Sequence, residues 1–221
     1  MSTLKQILFN RHKTIKLLII AISLSIVLLI IRMLLTHSYY YLFLVWNLFL
    51  AVVPFAITAH IISLPKLNKY LMFLWFSAWL LFLPNAPYIV TDLLHIKFNN
   101  TNLLWLDILV ISAFALNGLI LFYYSLLEMK TVLLKHIQTH KVSFLINLIP
   151  FLSAFGVYLG RFLRYNSWEI LSNPRVLILD IVIIINQPIK HKEAWLFTIL
   201  FGSFLSIGFW IFKTVINSKT N

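Results

Sequence analysis

The chain has 221 residues, of which 61% are hydrophobic and only 11% are charged, and its mean hydropathy is +0.92. Soluble domains are about 25% charged and about 45–50% apolar, so the composition excludes a water-soluble protein. The formal net charge is +12. In a membrane protein this excess reflects cytoplasmic loops rich in Lys and Arg, and no basic surface interleaved with aromatic residues indicates a nucleic acid partner. The absence of cysteine excludes disulfides and thiolate chemistry.

Apolar runs follow one another along almost the whole chain. A bilayer core requires about 20 apolar residues, so these runs predict an all-α, polytopic transmembrane helix bundle of about six spans. The bundle would form one integral membrane domain over residues 1–221, with a basic N-terminal segment at 1–16 and a polar tail at 213–221. The predicted spans are Leu17–Leu35, Tyr40–Ile62, Tyr70–Leu83, Leu104–Leu127, Val142–Leu163 and Ala194–Phe212.

A further apolar run, Val176–Ile189, contains Asp180 and Asn186. Its length of about 14 residues is too short to cross a bilayer core comfortably, so we expect an interfacial or re-entrant segment at 176–189. Placing both termini inside puts 11 of the 18 Lys and Arg on cytoplasmic segments, which include loops at 63–69 and 128–141. The positive-inside rule therefore predicts a multi-pass protein of the plasma membrane with cytoplasmic termini.

Two prolines, Pro84 and Pro87, interrupt the chain at the end of the third span. Proline lacks a backbone N–H and pushes its preceding residue out of the helical region, so we expect the helix to end near Leu83. Asn85 lies between the two rings and is predicted to turn toward the protein, because lipid cannot satisfy an irregular backbone. The Thr91-Asp92 pair that follows is a natural cap for a second, short helix.

Asp92 and His95 are three residues apart, which places them on one side of a helix. Tyr88 precedes Asp92 by four residues. The pair suits two metal ligands, with Asp107 or Glu169 as a third, or a base with its orienting carboxylate. A capping Asp and an interfacial His are the structural alternative, and we assign no metal ligands from this spacing.

Three charged places share one membrane face in either orientation: the end of the third span, the start of the fourth and the end of the fifth. By the positive-inside rule that face is extracytoplasmic. The chain has six acids, and four of them fall on this face: Asp92, Asp107, Glu169 and Asp180. Arg161, Arg164 and Arg175 lie there too. We expect a polar pocket in which Arg161 and Arg164 reach at least one of Asp92, Asp107 and Glu169.

The candidate residues of this pocket divide into two groups. Candidate catalytic residues are Asp92, His95, Asp107 and Glu169. Candidate binding residues are Asn85, Tyr88, Arg161, Arg164, Asn166 and Trp168. Arginine forks bind phosphate or carboxylate bidentately, so an anionic lipid or a phosphate-bearing substrate is one interpretation. Snorkelling arginines beside an interfacial Trp and ion pairs with the nearby acids are the alternatives. Gly156 and Gly160 predict close helix packing, and no cofactor is indicated.

Two segments of the chain carry a family resemblance. One is Pro84-Asn85-Ala86-Pro87-Tyr88 with Thr91-Asp92 and His95, and the other is Gly160–Glu169. With Trp105 and Asp107, they resemble a family of bacterial polytopic membrane proteins, domain of unknown function 1361, over roughly residues 40–215. The family pattern has Trp at the position of Tyr165 and Asp at that of Glu169, where the charge is kept. The resemblance implies an integral membrane protein and no activity.

Three functions remain open from the sequence. An enzyme would place the charged residues around a site for a lipid-linked or envelope substrate. A small-solute transporter would use polar groups within the spans, such as Asn47 and Asn117, and broken helices. The near absence of ionisable residues in mid-membrane argues against an ion-coupled pump. An accessory protein would bind a membrane partner and use its charges to hold its own loops together.

Overall fold

The computed structural model describes residues 3–64, 68–96, 103–165, 172 and 174–218, and no β-strand occurs among them. Eight α-helices are described: α1 (Thr3–Thr36), α2 (Phe43–Ser63), α3 (Lys69–Phe82), α4 (Asn85–Tyr88), α5 (Leu104–Leu133), α6 (Thr139–Arg161), α7 (Pro174–Asn186) and α8 (Lys192–Ser218). Short 3₁₀ helices cover Tyr40–Leu42 and Ile89–His95. The predicted fold class, an all-α polytopic bundle, is confirmed.

Among the described residues, six helical segments are long and apolar enough to cross a membrane. They are His12–Thr36, Tyr40–Ser63, Lys69–His95, Leu104–Leu133, Thr139–Arg161 and Lys192–Ile216. The prediction that residues 128–141 form a loop was wrong at its start, because α5 continues to Leu133. Glu128, Met129 and Lys130 all have high helix propensity, so the helix runs on past the apolar part of the span.

The third span differs most from its prediction. The regular α-helix ends at Phe82, which confirms the predicted end near Leu83, but Leu83 and Pro84 keep right-handed helical dihedrals, with φ of −56° and −59°. The helical path continues through α4 and the 3₁₀ helix to His95. The predicted span of 14 residues would rise only about 21 Å, less than a bilayer core of about 30 Å. The proline motif, residues 83–95, therefore lies inside the span and does not follow it.

The predicted cap at Thr91-Asp92 was also wrong. The 3₁₀ helix begins at Ile89, directly after Tyr88, and no side chain caps it. Because the chain arrives in helical conformation, it has no free helix terminus for a side chain to cap. Thr91 and Asp92 lie inside the 3₁₀ helix, where they are available for other contacts.

The helices pack in two groups that meet at the proline motif. Helix α5 packs against α1, α2 and the 3₁₀ helix Ile89–His95, while α6 packs along α8. A second apolar cluster joins α6, α7 and α8 through Tyr158, Leu159, Leu177, Ile184 and Ala194. Helix α4 contacts α2, α5 and α6. The motif therefore sits at the junction of the two groups.

Helix α7 corresponds to the predicted segment at 176–189. Its 13 residues rise only about 20 Å, and it is not among the six candidate spans. The indole Nε1 of Trp195 on α8 donates to the Ile184 carbonyl at 3.2 Å, which holds the end of α7 against α8. Its interfacial or re-entrant position stays a prediction.

Candidate functional site

Glycines on two helices make room for the proline motif. A Cβ atom added at Gly118 on α5 would collide with the Ala86 carbonyl oxygen, and one added at Gly156 on α6 would lie 2.6 Å from Pro84 Cγ. A Cβ atom added at Gly160 on α6 would lie 3.3 Å from the Tyr88 ring. The motif is therefore held between α5 and α6, and the close packing predicted at Gly156 and Gly160 is confirmed.

Asn85 lies at the break in the helical hydrogen bonding. Its Nδ2 donates to the Phe82 carbonyl oxygen at 2.9 Å, so the side chain satisfies a carbonyl at the end of α3. The residue is half-buried and lines a cavity of the protein. As predicted, Asn85 turns toward the protein.

The Arg161 guanidinium at the end of α6 connects four side chains of the proline motif. It forms an ion pair with Asp92 through Nη2. Its Nε donates to Thr91 Oγ1 at 2.7 Å, and its Nη1 lies 2.7 Å from His95 Nε2. The guanidinium carbon lies 4.2 Å from the centre of the Tyr88 ring, a cation–π distance. We call Arg161 and these four residues, together with Asn47, the Arg161 cluster.

Asp92 is fully buried, with an exposed fraction of 0%. One carboxylate oxygen pairs with Arg161, and the other accepts from Asn47 Nδ2 on α2 at 2.8 Å. A buried carboxylate is tolerated only when it is paired and hydrogen-bonded, and both conditions are met. The single carboxylate thereby joins α2, the proline motif and α6.

The contact with Arg161 engages the ring of His95. A guanidinium has N–H donors and no acceptor, so the 2.7 Å contact between Arg161 Nη1 and His95 Nε2 corresponds to the neutral ring with its proton on Nδ1. In that tautomer the Nε2 lone pair accepts from Arg161. In the part of the chain that the structure describes, no three His, Asp or Glu residues lie close enough to hold a metal ion.

A second ion pair lies beside this one. Arg32 Nε on α1 is 2.8 Å from Asp107 Oδ1 on α5, and Arg32 Nη1 donates to the Ser38 carbonyl at 3.0 Å. The Tyr41 hydroxyl donates to Asp107 Oδ2 at 3.3 Å, and the guanidinium carbon of Arg32 lies 4.4 Å from the Tyr41 ring centre. We call these four residues the Arg32 cluster. Sequence reasoning missed Arg32 as a partner, although α1 ends on the same face.

The other candidate residues differ in whether the structure gives them a partner. Arg161 and Arg164 were both predicted to reach an acid, and this is confirmed for Arg161 alone, with Asp92 as its partner. Arg164 is exposed at a positive φ of 63° and makes no ion pair with any carboxylate that the structure describes. Asp180 accepts from the Tyr165 hydroxyl at 2.6 Å. Three predicted site residues lie outside the described residues: Asn166, Trp168 and Glu169.

A cavity of about 660 Å³ borders the Arg161 cluster, within the range of about 300–1,000 Å³ for ligand pockets. Among the described residues, its wall comes from α2, α3, the proline motif, α6, Tyr165 and α7, and none of these lining side chains is charged. Most of the lining is apolar, and the polar lining residues are Asn47, Ser77, Asn85, Tyr88 and Tyr165. Asn47 and Tyr88 also belong to the Arg161 cluster. The cavity therefore ends at the ion pair.

Residues 46–207 match the protein family described as "Protein of unknown function (DUF1361)". The chain belongs to this family. No curated protein and no solved structure matches it. The family and the six candidate spans together make the chain an integral membrane protein of unknown activity.

The family match covers the two clusters unequally. All six residues of the Arg161 cluster lie inside residues 46–207, and so does the described wall of the cavity. Arg32, Ser38 and Tyr41 precede the matched DUF1361 segment, which contains only Asp107 of the Arg32 cluster.

Proposed function

We propose that this membrane protein binds an anionic amphiphile of the cell envelope, whose head group lies at the end of the cavity formed by the proline motif. One observation carries the proposal: an apolar cavity ends at Asn47 and Tyr88, and both side chains contact the buried Arg161–Asp92 ion pair. Apolar walls with a few convergent polar groups are typical of ligand sites.

The preference for an anion rests on Arg164. Asp92 neutralises Arg161, so this pair orients polar groups without adding net charge. Arg164 is exposed, and its chain neighbour Tyr165 lines the cavity. An arginine fork binds a phosphate or carboxylate bidentately. Arg164 would therefore attract an anionic head group to this end of the cavity.

Binding is better supported than catalysis. The two residues that suited acid–base work, Asp92 and His95, are both engaged by Arg161. Transport has less support than the sequence suggested, because Asn117 donates to Ser25 Oγ on α1 at 2.8 Å and so serves helix packing. An accessory role is the second candidate, since the Arg161–Asp92 pair is satisfied within the protein.

Retention of lipid by the purified protein tests the proposal. We expect native mass spectrometry to show one bound phosphatidylglycerol in preference to phosphatidylcholine. Arg164→Gln should weaken phosphatidylglycerol retention about tenfold, equal to about 1.4 kcal/mol, because one charge-assisted contact is lost. Lys135→Gln is the matched control, since Lys135 is exposed on the segment between α5 and α6, remote from the motif. Equal retention by both variants would refute the anionic head group and favour the accessory role.

The membrane side of the site is a separate part of the proposal. The Lys and Arg distribution favours an extracytoplasmic position for the proline motif at the plasma membrane, with both termini in the cytoplasm. Reporter fusions at Lys135 and Asn100 should read inside and outside, respectively. The opposite readings would reverse the orientation.

A further inference from the structure

We infer that the cavity holds one hydrocarbon chain of the amphiphile and admits it sideways from the bilayer, between α3 and α6. This inference rests on the proposed function and adds two elements to it: the part of the ligand that fills the cavity, and the direction from which it enters. Both follow from which lining residues are exposed and from how the wall is oriented.

The mouth of the cavity faces lipid. Among its lining residues, Phe73 is 73% exposed, Trp46 is 55% exposed and Leu152 is 43% exposed, and Ser77 is also exposed. Phe73 and Ser77 lie on α3 and Leu152 on α6, both of which belong to candidate spans. Trp46, on α2, is the chain neighbour of Asn47 at the polar end of the cavity. Exposed surface on a span contacts the bilayer core, where no water is present. A ligand entering here comes from the membrane and needs an apolar part.

The lining of the cavity extends along two spans. Its wall runs along α3 from Phe73 to Leu81 and along α6 from Leu152 to Gly160, each a rise of about 12 Å. Lipid chains also lie along the direction in which the helices cross the membrane. The polar residues Asn85 and Tyr88 lie at the end where α3 and α6 finish. A chain in the cavity would therefore bring its head group to the Arg161 cluster.

The wall beside the proline motif is apolar on two helices. Gly156 and Gly160 line the cavity on α6, where they pack against Pro84 and Tyr88. The wall on α7 is also apolar, with Leu177 and Ile181. Apolar walls of this kind suit a flexible hydrocarbon chain.

Photocrosslinking in nanodiscs tests the inference. The probe is a phosphatidylglycerol that carries a diazirine within one acyl chain. We expect labelling of Leu159, which lines the cavity and is only 9% exposed, so that surrounding lipid does not reach it. Leu148 on α6 is 38% exposed and does not line the cavity. Its labelling reports surrounding lipid and serves as an internal reference.

Tryptophan at the mouth should block entry. Ser77→Trp is expected to reduce labelling of Leu159 at least tenfold and to leave labelling of Leu148 unchanged. Leu74→Trp is the matched control, because Leu74 is 64% exposed on the same helix but does not line the cavity. Should Ser77→Trp fail to fold, Leu152→Trp on the opposite side of the mouth gives the same test.

The outcomes separate this inference from the proposed function. Labelling of Leu148 without Leu159 in the wild-type protein would overturn the chain-binding inference, and the retention assay with Arg164→Gln would still decide the head group. Undiminished labelling of Leu159 in Ser77→Trp would overturn entry between α3 and α6. Equal labelling of Leu159 by a phosphatidylcholine twin of the probe would support the chain and refute the anionic head group.

Discussion

Two Arg–Asp ion pairs lie side by side in this protein, and their surroundings differ. The Arg161–Asp92 side chains are 11% and 0% exposed, and those of Arg32–Asp107 are 8% and 11% exposed. Both pairs are thus largely removed from solvent. Removing one partner of such a pair is costly because the remaining charge is left uncompensated. Burial alone therefore does not separate a structural pair from a functional one.

The difference is what each pair borders. The Arg32 cluster joins α1 to α5, is completed by Tyr41 and a backbone carbonyl, and supplies no residue to the cavity wall. The Arg161 cluster shares Asn47 and Tyr88 with that wall. It also joins α6 to the rest of the protein at the junction of the two helix groups. Under the proposed function, the Arg32 cluster only stabilises helix packing, whereas the Arg161 cluster stabilises helix packing and also positions the ligand.

The largest expected effect is that of Asp92→Ala. It leaves the Arg161 charge without its carboxylate and releases Asn47, so we expect a loss of about 3–5 kcal/mol in the free energy of unfolding. The double variant Asp92→Ala/Arg161→Ala should recover part of this loss, because no lone charge remains buried. Equilibrium unfolding in mixed micelles measures both. A loss below about 1 kcal/mol would show that the pair adds little, as exposed pairs do.

Asp107→Ala should sharpen the contrast between the clusters. We expect a loss of about 3 kcal/mol, the lower end of the range for buried pairs, because Arg32 keeps its contacts with the Ser38 carbonyl and the Tyr41 ring. Lipid retention per folded molecule should stay at the wild-type level, because the Arg32 cluster supplies no residue to the cavity wall. A fall in lipid retention would mean that the Arg32–Asp107 pair also positions the ligand, which would contradict the separate roles of the two pairs.

Glycine replacements test how tightly the proline motif is held. Gly118→Ala should cost about 1–3 kcal/mol, as overpacking does, because the new methyl group meets the backbone carbonyl of Ala86. Gly160→Ala should cost less than about 1 kcal/mol, since its nearest neighbour is the edge of the Tyr88 ring at 3.3 Å. Unfolding free energies of the two variants give the comparison. Equal losses would show that the motif shifts to accommodate either change.

The sequence was sufficient for the fold class and for one ion pair. Apolar run lengths gave the six spans, and the shared face of three charged places led to Arg161 with Asp92. Arg32 was missed because it lies within an apolar run, where it was counted as part of the span and not as a partner. Asn47 was treated as a general polar residue of a span, although its amide binds Asp92.

Other features depend on tertiary packing and have no sequence pattern. The cavity is bounded by side chains from five helices, and its volume is decided by how α3, α6 and α7 pack. The helical path through Pro84 could not be read from the prolines, because their steric rule favours a break. Gly118 and Gly156 carry no side chain, so the motif packs closely between α5 and α6. This packing accompanies the continued helical path.

A further small effect concerns the contact between the clusters. Tyr41 is 1% exposed, and its hydroxyl lies 3.3 Å from Asp107 Oδ2 and 3.5 Å from the His95 carbonyl oxygen. The longer contact is weak, so Tyr41→Phe should cost only about 0.5–1.5 kcal/mol, the net value of one hydrogen bond.

Double-mutant cycles show which cluster Tyr41 belongs to. Tyr41→Phe should couple to Asp107→Asn by about 0.5 kcal/mol or more, because the two residues share a hydrogen bond, and to Asp92→Asn by less than about 0.3 kcal/mol. Tyr41 meets the Arg161 cluster only through a backbone carbonyl among the contacts that the structure describes. Unfolding free energies of the single and double variants provide both coupling energies. Equal coupling to both acids would mean that the two ion pairs form one network. The Arg32 cluster and the Arg161 cluster would then not have separate roles.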